Sequence, residues 1–228
     1  MNHLPTQSWQ GEIWLGDDHC LLLGTVARTA PHEHYAHQVL IGLDGPIEVA
    51  LGEQHQRGPL LLIPSRQPHA ILSDGARCLT LFAEPLAFDL GDLAQACELA
   101  GNHPQHLAEQ LQTWPRRPLP PRLASALQRI RTLDEHRLSA RELASTAALS
   151  ISQLERLFSG TLKLSVRRMV LWQRLRIGIQ LALGGASLTD AAVAAGFADS
   201  AHFSRSVRRQ FGLSPGSALR NLRLCTLG

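Results

Sequence analysis

The sequence predicts an α+β protein, with a small β-sandwich or barrel followed by an all-helical half. Three observations carry this. Short apolar or alternating runs fill residues 12–83, helical spacing takes over from Leu90, and a helix-pair pattern in the second half recurs about 48 residues further on. Charge divides in the same place. Residues 1–114 hold 4 Arg and 13 acidic residues, a balance of −9, while residues 115–228 hold 17 Arg, Lys163 and 6 acidic residues, a balance of +12. The net +3 conceals both, and nine of the 11 histidines fall in the acidic half. Two domains with different partners are expected, a polyanion being the first candidate for the basic one.

Several classes are excluded or disfavoured. Apolar runs such as Leu60–Ile63 are far short of the ~20 residues that cross a bilayer. Met1 to Gly11 lacks the basic-then-apolar order of a secretory signal. Cys20, Cys78, Cys97 and Cys225 are scattered, without zinc-site or disulfide spacing. A reduced, cytoplasmic chain without membrane contact is expected.

In chain order, Cys20–Ala27, Gln38–Leu43, Ile47–Leu51, Leu60–Ile63 and Cys78–Phe82 read as strands, separated by Asp44-Gly45-Pro46, Gly58-Pro59, Pro64, Pro68 and Asp74-Gly75. Leu93, Ala96, Cys97 and Ala100, spaced by three and four, predict a helix ending at Gly101-Asn102. A second helix is expected from about His106 to Trp114. Pro115, Pro118, Pro120 and Pro121 then mark a linker, and everything beyond it reads as helical.

The repeat pairs Ala144, Ala148-Leu149, Leu154, Arg156 and Phe158 with Ala192, Gly196-Phe197, Phe203, Arg205 and Val207. Each copy is a short helix with a small residue at its centre, a tight turn and a second helix. A small residue lets two helices cross closely, which is the helix-turn-helix pattern whose second helix enters the major groove. Ser139 with Glu142 forms a capping box, and Ser150 and Asp199 cap the two second helices. Val166–Leu183 is a helix about 27 Å long at ~1.5 Å per residue, a connector able to set two reading helices about one duplex turn (~34 Å) apart. A helical-repeat scaffold would explain the repetition, but neither the basic charge nor the turn residues.

Residues 137–223 resemble the DNA-binding domain of the AraC/XylS family of bacterial transcription regulators. The resemblance rests on Leu188-Thr189-Asp190-Ala191-Ala192, Gly196-Phe197, Phe203-Ser204-Arg205 and Phe211-Gly212-Leu213-Ser214-Pro215, and on Glu142-Leu143-Ala144 through Leu157-Phe158 in the first copy. Val207 replaces a usual Phe, and Ala148 stands where a turn Gly is common. The resemblance implies base reading by Ser152, Gln153, Glu155 and Arg156, and by Ser200, Ala201, His202, Ser204 and Arg205. Arg suits guanine, Gln adenine and Glu the cytosine amino group. Glu155 equally suits a role orienting a neighbouring arginine. Lys163, Arg167, Arg208 and Arg209 are expected on phosphates, the alternative for each being a solvated surface charge. His202 and His136 have no partner at metal-ligand spacing, so packing is their default role.

In the acidic half, His32, His34, Gln38 and Gly45, followed by Gly58, Pro64 and His69, resemble the two cupin motifs. Gln38 stands where that motif has Glu, and Arg66 where it has Gly. The resemblance implies a cupin-like β-barrel as sensor domain. Strand parity places His32, His34 and Gln38 on one face, with Glu33 and His37 on the other. With His69 from another strand they form an effector-binding set, suited to a divalent transition metal such as Zn, Ni, Cu or Fe. The alternative is a set of histidines lining an organic-ligand pocket.

Three domains are therefore expected: a cupin-like sensor over residues 1–88, a helical dimerisation segment and Pro-rich linker over 89–121, and an AraC-type domain with two helix-turn-helix motifs over 122–228. The expected function is sequence-specific binding of operator or promoter DNA by a non-enzymatic homodimer that answers to a small molecule or divalent metal ion and contacts RNA polymerase. A metal-dependent cupin enzyme fused to a helical DNA-binding domain is the alternative. A third reading is a constitutive DNA-binding protein whose barrel only dimerises.

Overall fold

The computed structural model describes residues 8–101, 103–132 and 139–225. Asn102 and His136 lie outside the described residues. Contacts divide the chain into two compact units, Met1–Arg116 with Ser204–Gly228, and Arg117–Phe203.

The first unit is built on β1 (Gln10–Leu15), β2 (His19–Thr25), β3 (His37–Gly42), β4 (Ile47–Leu51), β5 (Gln54–Gly58), β6 (Leu60–Ile63), β7 (Ala70–Ile71) and β8 (Arg77–Ala83). The helices α1 (Leu90–Ala100) and α2 (Pro104–Thr113) follow. Burial explains the strands. Ile47 and Val49 of β4, Leu61 and Ile63 of β6, Leu40 of β3, Ile71 of β7 and Cys78 of β8 point into one apolar cluster with Val26. The pleat sends alternate side chains to that side. Helix α1 buries Leu93, Ala96, Cys97 and Ala100, the face that the spacing predicts, and α2 buries Leu107, Ala108 and Leu111.

Two sheets enclose the cluster, one ordered β6-β3-β8-β2-β1-β9 and one ordered β5-β4-β7. They form an open sandwich, one of the two forms expected, and the cupin-like barrel is left unclosed. The reason lies in β5, whose Gln54, His55, Gln56 and Arg57 are all exposed, leaving a polar strand as a solvent edge with no apolar face to carry closure. The expectation that everything beyond the linker is helical is corrected. Strand β9 (Asn221–Cys225) pairs in parallel with β1, Gln10 opposite Asn221 and Trp14 opposite Cys225.

The second unit contains α3 (Pro121–Arg131), α4 (Ala140–Thr146), α5 (Ile151–Leu162), α6 (Val166–Leu183) and α7 (Leu188–Ala194), and the start of α8 (Ser200–Phe211). The short α9 (Pro215–Leu219) leads into β9. Capping chemistry sets the boundaries. Ser139 and Glu142 close a capping box at α4, and Ser150 and Gln153 close another at α5. Asp199 Oδ1 accepts the His202 N–H at 2.6 Å at the start of α8. Helix α6 has the predicted limits. At Gly178 an added Cβ would stand 2.7 Å from the Phe203 ring, so glycine permits the close approach of α6 to the start of α8.

The turn between α4 and α5 carries strain. Ala148 has φ 51°, a left-handed conformation, while Gly196 takes the equivalent position in the second copy at φ 78°. Glycine adopts that region freely and alanine does not.

Candidate functional site

The histidine cluster is assembled by two strand-like segments. His32 and His69 face each other across an isolated antiparallel bridge, each N–H donating to the other's carbonyl at 2.9 Å. His34 lies two residues on, and Gln38 follows at the start of β3. All four are buried, at 8%, 2%, 3% and 1% exposure for His32, His34, His69 and Gln38. Glu33 is exposed and His37 half-buried, with His37 Nδ1 accepting the Ser65 N–H at 2.9 Å. His32, His34 and Gln38 are thus buried together, but residues 33–36 form no strand and Tyr35 and Ala36 are buried as well, so bends rather than strand alternation bring the three to one place.

Ring centroids lie 4.2 Å apart for His32 and His69, 5.0 Å for His34 and His69 and 5.7 Å for His32 and His34. One ring nitrogen of each lies within 4.8 Å of those of the other two. The outer nitrogens are held by backbone. His32 Nδ1 meets Ala30 O at 2.9 Å, His34 Nδ1 meets Ala36 O at 2.9 Å and His69 Nδ1 meets Gln67 O at 2.8 Å. A carbonyl only accepts, so each Nδ1 carries the proton and each neutral ring keeps its lone pair on Nε2. His69 Nε2 and the Gln38 side-chain nitrogen are buried without a hydrogen-bond partner. His34 Nε2 and Gln38 Oε1 stand 3.2 Å apart, two acceptors turned toward each other.

Burial favours the neutral form of all three rings. Burial, then the charge of His69, lowers the His32 pKa to about 4. Burial, then the charges of His69 and His32, lowers that of His34 to about 3, and burial lowers that of His69. Three oriented, neutral Nε2 atoms beside an amide oxygen are the donor set of a borderline divalent metal. The donor set fits such an ion in chemistry, and its outer hydrogen bonds use Nδ1 alone.

Aromatic rings cover the cluster. Phe82 lies 5.2 Å and Phe211 6.1 Å from His34, and Phe82 and Phe211 are 5.7 Å apart, centroid to centroid. Trp9 completes the group at 6.2 Å from each phenylalanine. Phe211 and Gly212 belong to the helical half of the sequence, and spacing carries no sign of this contact, because it joins positions far apart in the chain.

On α5, Leu154, Phe158 and Leu162 are buried while Ser152, Gln153 and Arg156 are exposed. Gln153 spends its side-chain oxygen on the Ser150 N–H at 2.9 Å. Glu155 is half-buried, with Oε2 3.5 Å from the Val166 N–H at the start of α6. Lys163 is the left-handed C-cap of α5 and is exposed, as is Arg167. On α8, Ala201, Arg205, Arg208 and Arg209 are exposed, and Ser200, His202 and Ser204 half-buried. The His202 ring packs edge-on against Phe197 at 5.1 Å.

The model of a helix-turn-helix domain matches residues 143–221. The chain is 31% identical to a transcriptional regulator with an AraC-type DNA-binding domain from Chromobacterium violaceum, over 42% of this chain and 86% of that one, with a TM-score of 0.40. It resembles apo ToxT from Vibrio cholerae in fold, at 9% identity and TM-score 0.59 over 87% of this chain and 96% of that one. Unsaturated fatty acid bound ToxT gives 10% identity and TM-score 0.55 over 95% and 96%. Among curated protein sequences none matches the chain.

Proposed function

Because this chain belongs to the AraC family of DNA-binding transcription regulators, we propose that it reads operator DNA through α5 and α8 and that its effector is a divalent transition metal ion. The ion is held by His32, His34 and His69, with Gln38 Oε1 as the fourth donor. The observation that carries this is the set of three Nδ1–H groups fixed on backbone carbonyls, which leaves each ring its Nε2 lone pair in a cluster whose ring nitrogens come within 4.8 Å of one another. When bound, the ion supplies positive charge to a site whose own groups are all neutral. The protein orients the donors, excludes water with Phe82 and Phe211, and favours the neutral form of the imidazoles.

Ser152, Gln153, Arg156, Ser200, His202, Ser204 and Arg205 are proposed to face bases, with Glu155 steadying the start of α6. Lys163, Arg208 and Arg209 face phosphates in this reading. Helices α1 and α2 are the proposed homodimer contact, where Leu99 is 63% exposed, and RNA polymerase is the proposed downstream partner.

An organic acid, such as the fatty acid bound by ToxT, is the second reading, favoured by the aromatic cover. Its carboxylate would need a buried cation. Among the described residues no Lys or Arg is buried, which favours the metal. An enzyme is disfavoured, because Gln38 is no general base. The test is native mass spectrometry with elemental analysis after loading with Zn(II) or Ni(II). One ion per chain, lost in His34→Ala, is expected; an organic mass without metal would support the second reading.

A further inference from the structure

The histidine cluster is joined to the end of the DNA-reading helix by a short chain of hydrogen bonds. His32 Nδ1–H donates to Ala30 O at 2.9 Å, and the Ala30 N–H donates to Gly212 O at 3.2 Å. Gly212 follows directly on α8. It has φ +68°, and a Cβ added there would press on Ala30 O and stand 2.9 Å from His32 Nδ1 and 2.9 Å from Thr29 Cβ. Only glycine lets the chain leave the helix there and lie against the histidine loop. The neighbouring Phe211 ring lies over His34, Phe82 and Trp9. Beyond it, α9 and β9 continue onto the sheet. The Trp9 N–H donates to Ser217 O at 2.9 Å, and Glu12 pairs with Arg223.

We infer that the Phe211–Gly212 turn is the element through which occupancy of the three-histidine site is felt by α8. This rests on the metal reading above. Ligation through Nε2 withdraws electron density from the imidazole and strengthens its Nδ1–H donation. The Ala30 carbonyl is then held more firmly, and with it the peptide whose N–H holds Gly212. Immobilising His34 also gives Phe211 a fixed ring to pack on. Metal therefore stabilises the docked state of the turn, and with it the end of α8. A ligand shifts a two-state element only by its differential affinity, and these contacts supply the difference.

The test is hydrogen exchange of the full chain with and without Zn(II), with native mass spectrometry reporting the bound ion on the same sample. Backbone exchange in residues 209–225 and at Ala30 should slow about fivefold or more when one ion binds. His34→Ala should abolish the response by abolishing binding. Gly212→Ala should bind zinc yet lose the response in 209–225. Because that variant also strains a left-handed residue, Arg223→Ala, which removes the Glu12 pair that holds β9 on β1, serves as a second probe and should weaken the response while keeping the ion. One ion bound with unchanged exchange in 209–225 overturns the inference and leaves the metal reading standing. No bound ion overturns both.

Discussion

Arg116 grips Asp18 with two hydrogen bonds, Nε to Oδ2 at 2.8 Å and Nη2 to Oδ1 at 3.1 Å, across 98 residues of sequence. His19 Nδ1 reaches the same carboxylate at 3.0 Å, and the Arg116 guanidinium lies 4.5 Å from the centroid of the Phe88 ring. The last residue of the contiguous first segment, just past α2, is thereby tied to the turn between β1 and β2. Burial alone would raise the Asp18 pKa. The hydrogen bonds from His19 and Arg116 and the charge of Arg116 outweigh it and hold the group at about 2, against the ordinary 3.8.

Stability from this contact has a defined pH window. A depressed carboxylate stabilises the fold above its unfolded pKa and loses that contribution as pH falls through the folded value. The contribution, about 2 kcal/mol, should be complete above pH 4 and fade toward pH 2. Asp18→Asn should remove the acid dependence, and Arg116→Ala should cost about 2–3 kcal/mol by leaving a buried carboxylate without its main partner. Urea unfolding between pH 2 and 7 measures both; parallel curves for wild type and Asp18→Asn would refute the assignment.

Relief of turn strain is expected at Ala148. Its left-handed φ of 51° costs alanine on the order of 1 kcal/mol. Ala148→Gly should raise stability by about 0.5–1 kcal/mol, after allowance for glycine's larger unfolded entropy. Thermal unfolding checks this, and a lower melting temperature would contradict it.

Base and phosphate contacts should separate in binding assays. Arg156→Ala or Arg205→Ala should weaken operator binding by ~1–3 kcal/mol and relax base preference locally, with little effect on random duplex. Arg209→Ala should weaken both alike and lower the salt slope by about one. Fluorescence anisotropy on operator and random DNA across a salt series distinguishes them. Equal losses on both duplexes for Arg205→Ala would remove it from the reading set.

Much of this was legible in the sequence where chemistry is local. Ile47–Leu51, Leu60–Ile63 and Val166–Leu183 have the limits that their periodicity predicts. The spacing of His32, His34 and Gln38 singled them out as a set, although bends rather than strand alternation bring them together. Strand β5 was missed because Gln54–Arg57 offers no apolar alternation, and β7 because two residues carry no period. In β9 the alternation of Leu222 and Leu224 with polar neighbours was present, but its partner β1 lies some two hundred residues away. The carbonyl partners that set the histidine tautomers, and the packing of Phe211 and Gly212 on the cluster, depend on tertiary geometry and leave no mark in spacing.

The most direct test of the central claim is the dissociation constant for an operator selected from random duplexes, measured with and without one equivalent of Zn(II), for wild type and His34→Ala. The expected result is a shift of about fivefold or more in wild type and none in His34→Ala. Identical constants for zinc-loaded and zinc-free wild type would contradict a metal-responsive regulator.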